Sequence, residues 1–314
     1  MSNREGLTMA AVARNGKPDV TLEQWLEVLA PQTQRAYRTW LERYGRWCTE
    51  TGADPDAVAS VGAYIEHIVR QGYGVSAVQQ VLAALRLKFR SRGVELEDPE
   101  LALLLRKVRR TLGVAPRRAK RPFTLEMLER VQWRPGLVGI RDRALLLVGF
   151  YGALRVRELV GLNIEDVSEQ KEGFVVAIWR SKTDQEGRGR FVAIPRGGRL
   201  GPAEALKAWL TVLREHGYTS GALFRYAREK RLFPARMTVQ AAQNVVKLYA
   251  AQLGYDPKDF AGHSLRAGFV TSAALRNAPE EAIALQTGHR SIVVLRGYIR
   301  RATIWERNAV SWLV

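Results

Sequence analysis

The segment QTGHRSIVVLRGYIRR (286–301) places Tyr298 nine residues after His289, with arginines on both sides. A phenol is a weak nucleophile at its reference pKa of about 10, and cationic neighbours or a base would activate it. The same pattern fits an amphipathic tyrosine at the edge of a core. Three other groups could share its chemistry. Arg155 sits where an apolar helix gives way to an amphipathic one, with Glu158 one turn on, in YGALRVRELVGLNIEDV (151–167). Taken alone, that is also an ordinary surface helix pair, worth tenths of a kcal/mol. Lys182 lies in a polar connection, where a lysine is usually only solvated. In GHSLRAG (262–268), His263 and Arg266 are three apart and can face the same way from one helical turn. Beside helix N-terminal amides they would suit a phosphate.

The charge balance points to a polyanion. Lys and Arg number 49 and Asp and Glu 31, a net +18, and an excess of that size matches DNA, RNA or an anionic membrane surface. The longest apolar run, ALLLVGFYGAL (144–154), has 11 residues, against the roughly 20 that a bilayer span needs. The first residues lack the apolar stretch of a signal peptide. A cytoplasmic, nucleoid-associated protein with no membrane partner is therefore expected. The single cysteine, Cys48, excludes an internal disulfide framework. The four histidines, His67, His216, His263 and His289, have no metal-ligand spacing, so no metal or other cofactor is expected.

Two domains are the natural division for 314 residues. Residues 1–20 read as a flexible start and 21–112 as a helical domain. In TQRAYRTWLERYGRWCTE (33–50), Tyr37, Trp40, Leu41, Tyr44, Trp47 and Cys48 follow one buried face. Arg35, Arg38, Arg43 and Arg46 fall opposite. A second helix near 75–91 carries Arg86, Lys88, Arg90 and Arg92, with Gly93 able to terminate it. A third, 98–113, has Asp98 as N-cap, Pro99 at its first position and Gly113 after its end. GVAPRRAKRP (113–122) reads as a basic linker containing Arg117, Arg118, Lys120 and Arg121. Beyond it, Thr124 can cap a helix in which Met127 and Leu128 pack. Runs 173–180 and 190–195 form a hairpin around SKTDQEGRG. Helices are expected at 202–216, 238–253, 264–276, 279–286 and 291–298.

The ordered set Arg155, Lys182, His263-x-x-Arg266, His289 and Tyr298 resembles the tyrosine recombinase (phage integrase) family. The motifs are ALRVREL, SKT, HSLRAG and GHRS followed by the tyrosine. The resemblance covers roughly 122–314, and the layout is most similar to the simple Cre-like and Xer-like members. With only about 20 residues ahead of the first helix, no arm-binding domain is expected. Two positions depart from the family's habit: Ala267-Gly268 after Arg266, and Arg157, where a small residue is commoner. His289 agrees with the majority, although some members carry tryptophan there.

The resemblance implies a fold that is mainly α: an N-terminal helical core-binding domain plus an α-rich catalytic domain (123–314) with a small antiparallel β-sheet, forming a C-shaped DNA clamp. It also implies roles. Arg155 and Arg266 would hold the nonbridging oxygens of a phosphodiester by bidentate, charge-assisted hydrogen bonds. Tyr298 would attack phosphorus. Lys182 would protonate the departing 5′ oxygen, His263 would accept or position a proton, and His289 would bind a nonbridging oxygen. Glu158 would orient its neighbours. Neither ATP nor a metal is called for, because the covalent bond conserves the phosphodiester energy. The apolar tail of about 300–314, with Trp305, Trp312 and Leu313, would dock on a neighbouring protomer, the alternative being its own domain. The expected partner is double-stranded DNA with inverted half-sites, bound by a homodimer on one site and a homotetramer in the synapse, with room for accessory proteins. The rivals are a type IB topoisomerase-like relaxing enzyme and a DNA-binding protein without catalysis.

Overall fold

The computed structural model describes residues 20–113, 120–179, 189–288, 295–297, 299–300 and 303–304. The chain divides into two units, Met1–Arg117 and Arg118–Val314, each with its own apolar core. The first unit contains α1 (Leu22–Glu27), α2 (Pro31–Thr51), α3 (Val58–Arg70), α4 (Val75–Arg90) and α5 (Pro99–Leu112). Along α2 the aromatic stripe turns inward: Trp40, Tyr44 and Cys48 are buried, whereas Arg35, Arg43 and Arg46 are exposed. Tyr44, Trp47 and Tyr64 meet ring to ring against α3. The start of α5 follows its sequence cues. The Asp98 carboxylate accepts the Leu101 N–H at 2.8 Å, Pro99 opens the helix and Gly113 follows it. After α4, Gly93 takes a left-handed φ of 75° and the Val94 N–H returns to the Phe89 carbonyl.

The second unit contains α6 (Leu125–Arg130), α7 (Gly136–Tyr151), α8 (Val156–Gly161), β1 (Val167–Gln170), β2 (Gly173–Ile178), β3 (Arg190–Pro195) and α9 (Pro202–Glu215). These are followed by β4 (Arg225–Arg228), β5 (Arg231–Arg236), α10 (Val239–Gln252), α11 (Ser264–Leu275) and α12 (Glu280–Thr287). Most of the apolar run that is too short for a membrane lies in α7, with Ala144 to Phe150 all buried, and its last three residues form the turn after that helix. No described helix is long and apolar enough to cross a membrane. The hairpin forms with Val176 opposite Val192 and Gly173 opposite Pro195. The structure adds a third strand, β1, antiparallel to β2, and a separate β4–β5 hairpin. Neither has an apolar run to announce it. β1 is Val-Ser-Glu-Gln, and β5 contains Pro234, which argues against a strand when read alone.

The last residues of the expected linker belong to the second unit. The Arg121 N–H donates to the Asp259 carbonyl, the Phe123 N–H to the Ser264 carbonyl, and Lys120 Nζ to the Lys258 carbonyl. This pairing draws the chain so close to α11 that a Cβ on Gly268 would stand 1.8 Å from the Phe123 carbonyl oxygen. The glycine at 268 thus has a local cause: a side chain there would meet the incoming segment at Phe123. Another tie is electrostatic. The fully buried Asp142 accepts from Arg134 (2.5 Å), Arg141 (2.6 Å) and the Tyr249 hydroxyl (3.2 Å), joining α7 to α10. Burial and the Asp142 charge both push the Tyr249 phenol up.

Gly268→Ala is expected to destabilise the protein by about 1–3 kcal/mol, the usual range for overpacking, seen as a lower urea midpoint. A variant that melts with the wild type would show that the segment at Phe123 can move aside.

Candidate active site

The site begins where α7 ends. Ala153 adopts a left-handed φ of 48°, and the Leu154 N–H closes back on the Gly149 carbonyl. A residue with a Cβ pays for that conformation, and a partner secures it here: the buried Arg266 donates from NH1 to the Ala153 carbonyl at 2.8 Å. Arg155 then caps α8. Its backbone N–H donates to Glu158 Oε2 at 2.9 Å, and its NH1 donates to Oε1 of the same carboxylate at 2.6 Å. The pair is not the exposed helix pair that the sequence alone allows. Glu158 is 3% exposed and Arg155 17%. At that depth a carboxylate without its partners would be costly.

Arg266 approaches from α11, and His263 is the N-cap of that helix and is exposed. The approach is tight. Gly262 lies so near Val156, the residue after Arg155, that an added Cβ would meet Val156 Cγ1 at 2.4 Å. The first-arginine segment and the His-x-x-Arg segment are therefore in contact, one through Val156 and Gly262, the other through Ala153 and Arg266.

Sequence reasoning missed one member. Arg190, the first residue of β3, donates from NH2 to Glu158 Oε2 at 3.1 Å, so a single carboxylate serves two guanidiniums. Burial lowers the Arg190 pKa, the Arg155 charge adds to that, and Glu158 opposes it. The run RGRFVAIP signals a strand, and nothing in it separates Arg190 from Arg188.

Lys182, His289 and Tyr298 lie outside the described residues, as do Arg117, Arg118, Trp305, Trp312 and Leu313. Residues flanking Tyr298 are described. Leu295 and Ile299 are buried in a small core with Val270 and Ala274 of α11 and Ile283 of α12. Among the described residues, no group of His, Cys, Asp and Glu is arranged to hold a metal ion.

The first unit's cations differ in what they do. Arg35, Arg46 and Arg86 are exposed. Arg43 lies over the Trp40 ring and bonds the Tyr73 hydroxyl, and Arg90 lies over Trp25. Arg38 is paired with Glu23 at 2.5 Å. Lys88 departs most from expectation. Its ammonium turns inward over Tyr44 and pairs with Asp56 at 2.9 Å. Burial lowers its pKa. In the second unit, Arg121 lies over the Tyr255 ring.

A mainly helical unit with two small antiparallel sheets holds two arginines on a buried glutamate beside a third arginine, an arrangement whose excess positive charge suits an anion. The phage integrase family model matches residues 127–303, and the chain belongs to that family, the tyrosine recombinases. It is 30% identical over 297 residues to an integrase/recombinase XerD homolog of Selenomonas ruminantium, covering 90% of this chain and 85% of that one. With tyrosine recombinase XerD of Proteus mirabilis, identity is 26% over 303 residues, covering 91% and 90%. The fold is similar to that of the XerH site-specific recombinase bound to palindromic difH substrate (TM-score 0.67, 15% identity, 91% of this chain and 83% of that chain). It is also similar to that of the Tn1549 transposon integrase in complex with transposon right end DNA (TM-score 0.61, 16% identity, 92% and 100%).

Removing the shared carboxylate tests the burial argument. Glu158→Ala is expected to cost about 3 kcal/mol in a denaturation experiment, because two half-buried cations lose their shared counter-charge. Glu126→Ala removes an exposed pair with Arg276 and should change stability by less than about 1 kcal/mol.

Proposed function

We propose that this tyrosine recombinase cleaves and rejoins double-stranded DNA at an inverted-repeat site through a 3′-phosphotyrosyl intermediate. The observation that carries the reading is the Arg155–Glu158–Arg190 cluster, two half-buried guanidiniums on a buried carboxylate, with the buried Arg266 bonded to the Ala153 carbonyl two residues before Arg155. It leaves more positive than negative charge in a low-dielectric place, where an anion is the natural complement. Arg155 and Arg266 bind the nonbridging oxygens, whose charge grows in the pentavalent transition state. Tyr298 Oη forms a bond to phosphorus, the bond to the 5′ oxygen breaks, and Lys182 supplies the proton that makes the 5′-hydroxyl. His263 accepts or positions the tyrosine proton, and His289 hydrogen-bonds a nonbridging oxygen. Attack by a 5′-hydroxyl reverses the sequence. In the first unit the exposed Arg35, Arg46 and Arg86, together with the ring-stacked Arg43 and Arg90, contribute to DNA affinity. Two protomers occupy one site and four form the synapse, with the 300–314 tail docking between neighbours. The reaction belongs in the cytoplasm, on the nucleoid.

The test is a nicked suicide duplex with randomised arms, from which covalent adducts are recovered and sequenced. Wild-type protein is expected to yield an adduct on one inverted-repeat sequence, and Tyr298→Phe to yield none while still binding that duplex. Absence of an adduct with the wild type would leave a binding protein without catalysis. Relaxation of supercoils without exchange between two site-bearing duplexes would favour a topoisomerase-like enzyme. Binding should weaken by roughly 10³–10⁵ between about 50 and 200 mM salt if six to ten phosphates are contacted.

A further inference from the structure

Arg190 stands where three parts of the site meet. It opens β3, the strand that follows the connection carrying Lys182. Its NH2 reaches Glu158 Oε2 at 3.1 Å, and its NH1 reaches the Gln286 carbonyl at 2.8 Å, in the last turn of α12 and three residues before His289. Its stem lies along Gly288, the left-handed residue that ends α12. An added Cβ there would stand 3.0 Å from Arg190 Cδ. Gln286 in turn donates through its side chain to the Tyr151 carbonyl at 2.6 Å and the Ala193 carbonyl at 3.2 Å. One guanidinium thus spans the hairpin, the helix that begins after Arg155, and the helix end that leads to His289.

Only arginine can serve here. The two bonds leave from different nitrogens of a planar fork toward acceptors on different elements, whereas a lysine is a single point charge on a flexible stem. The bond to Oε2 fixes the plane of the Glu158 carboxylate, and that plane aims the Oε1 partner, the Arg155 guanidinium. Sharing one carboxylate between two cations also leaves Arg155 incompletely neutralised, so its field remains available to a phosphate.

We propose that Arg190 is a positioning residue for strand cleavage: acting through Glu158 it orients and electrically exposes Arg155, and through the Gln286 carbonyl it sets the start of the segment that carries His289. This rests on the reading above, in which Arg155 binds the scissile phosphate.

The experiment uses the full chain and the duplex recovered from the adduct selection. Single-turnover cleavage is measured on the natural phosphodiester and on a duplex whose scissile phosphate is a methylphosphonate. The methyl group removes one charged nonbridging oxygen, and with it part of the need for a correctly aimed guanidinium. On the phosphodiester, Arg190→Gln is expected to slow cleavage by about 10–100-fold, the scale of a small misplacement, with duplex affinity within about threefold of wild type. On the methylphosphonate, the deficit of Arg155→Ala shrinks and that of Arg190→Gln shrinks with it. Arg190→Lys keeps the half-buried charge, replaces Arg190→Gln should that variant unfold, and is expected to show the same deficit and the same partial relief. Cleavage within twofold of wild type would overturn the proposal. So would a deficit of equal size on both duplexes while that of Arg155→Ala shrinks, since that pattern belongs to a structural role. If wild type forms no adduct at all, the proposed function falls and this inference with it. Normal wild-type cleavage with an indifferent Arg190 removes the inference alone.

Discussion

The second unit is organised around one buried carboxylate. Glu158 receives a backbone N–H and two guanidiniums, and these donors come from α8's own first turn and from β3. A carboxylate at 3% exposure is tolerable only with such a complement. Satisfying it requires that the hairpin return to α8 at a fixed place, so the position of the sheet is specified by charge as well as by apolar packing. The fully buried Asp142 does the equivalent work between α7 and α10, with the difference that the first arrangement faces the candidate site.

Much of the helical framework was legible in the sequence because its cues are local. The Asp98-Pro99 start and Gly113 stop of α5 are satisfied by neighbours within four residues. The aromatic stripe of α2 needs only a 3.6-residue period. The motif residues Arg155, His263 and Arg266 were legible through their spacing and family resemblance, and the structure brings their segments together. What escaped depends on distant partners. Arg190 is one arginine among many until β3 is paired, 32 residues from Glu158. β1 and β5 are polar or proline-bearing strands that exist because a neighbouring strand accepts them. The depth of the Arg155–Glu158 pair was likewise invisible, because an i, i+3 pair looks the same on a surface and in a core.

The basic surplus also divides in a way composition does not reveal. Arg38 and Lys88 are spent on Glu23 and Asp56, and Arg43 and Arg90 lie over indole rings. A cation stacked on a ring keeps its charge and loses freedom, so it can still attract a phosphate at less entropic expense. A cation paired with a carboxylate contributes little net field. The arginine face of α2 is thus less uniform electrostatically than its helical wheel suggests.

The contact of Gly262 with Val156 has a consequence for protein engineering. Two segments about a hundred residues apart in the chain share one steric boundary, at 2.4 Å from a Cβ that is not there. α8 and the loop before α11 therefore form a single interchangeable part. A chimera that takes α8 from a relative with a bulkier residue at 156, or the loop from one with a side chain at 262, would import half of a matched surface. Chimeras that keep this boundary intact are best assembled by moving both segments together.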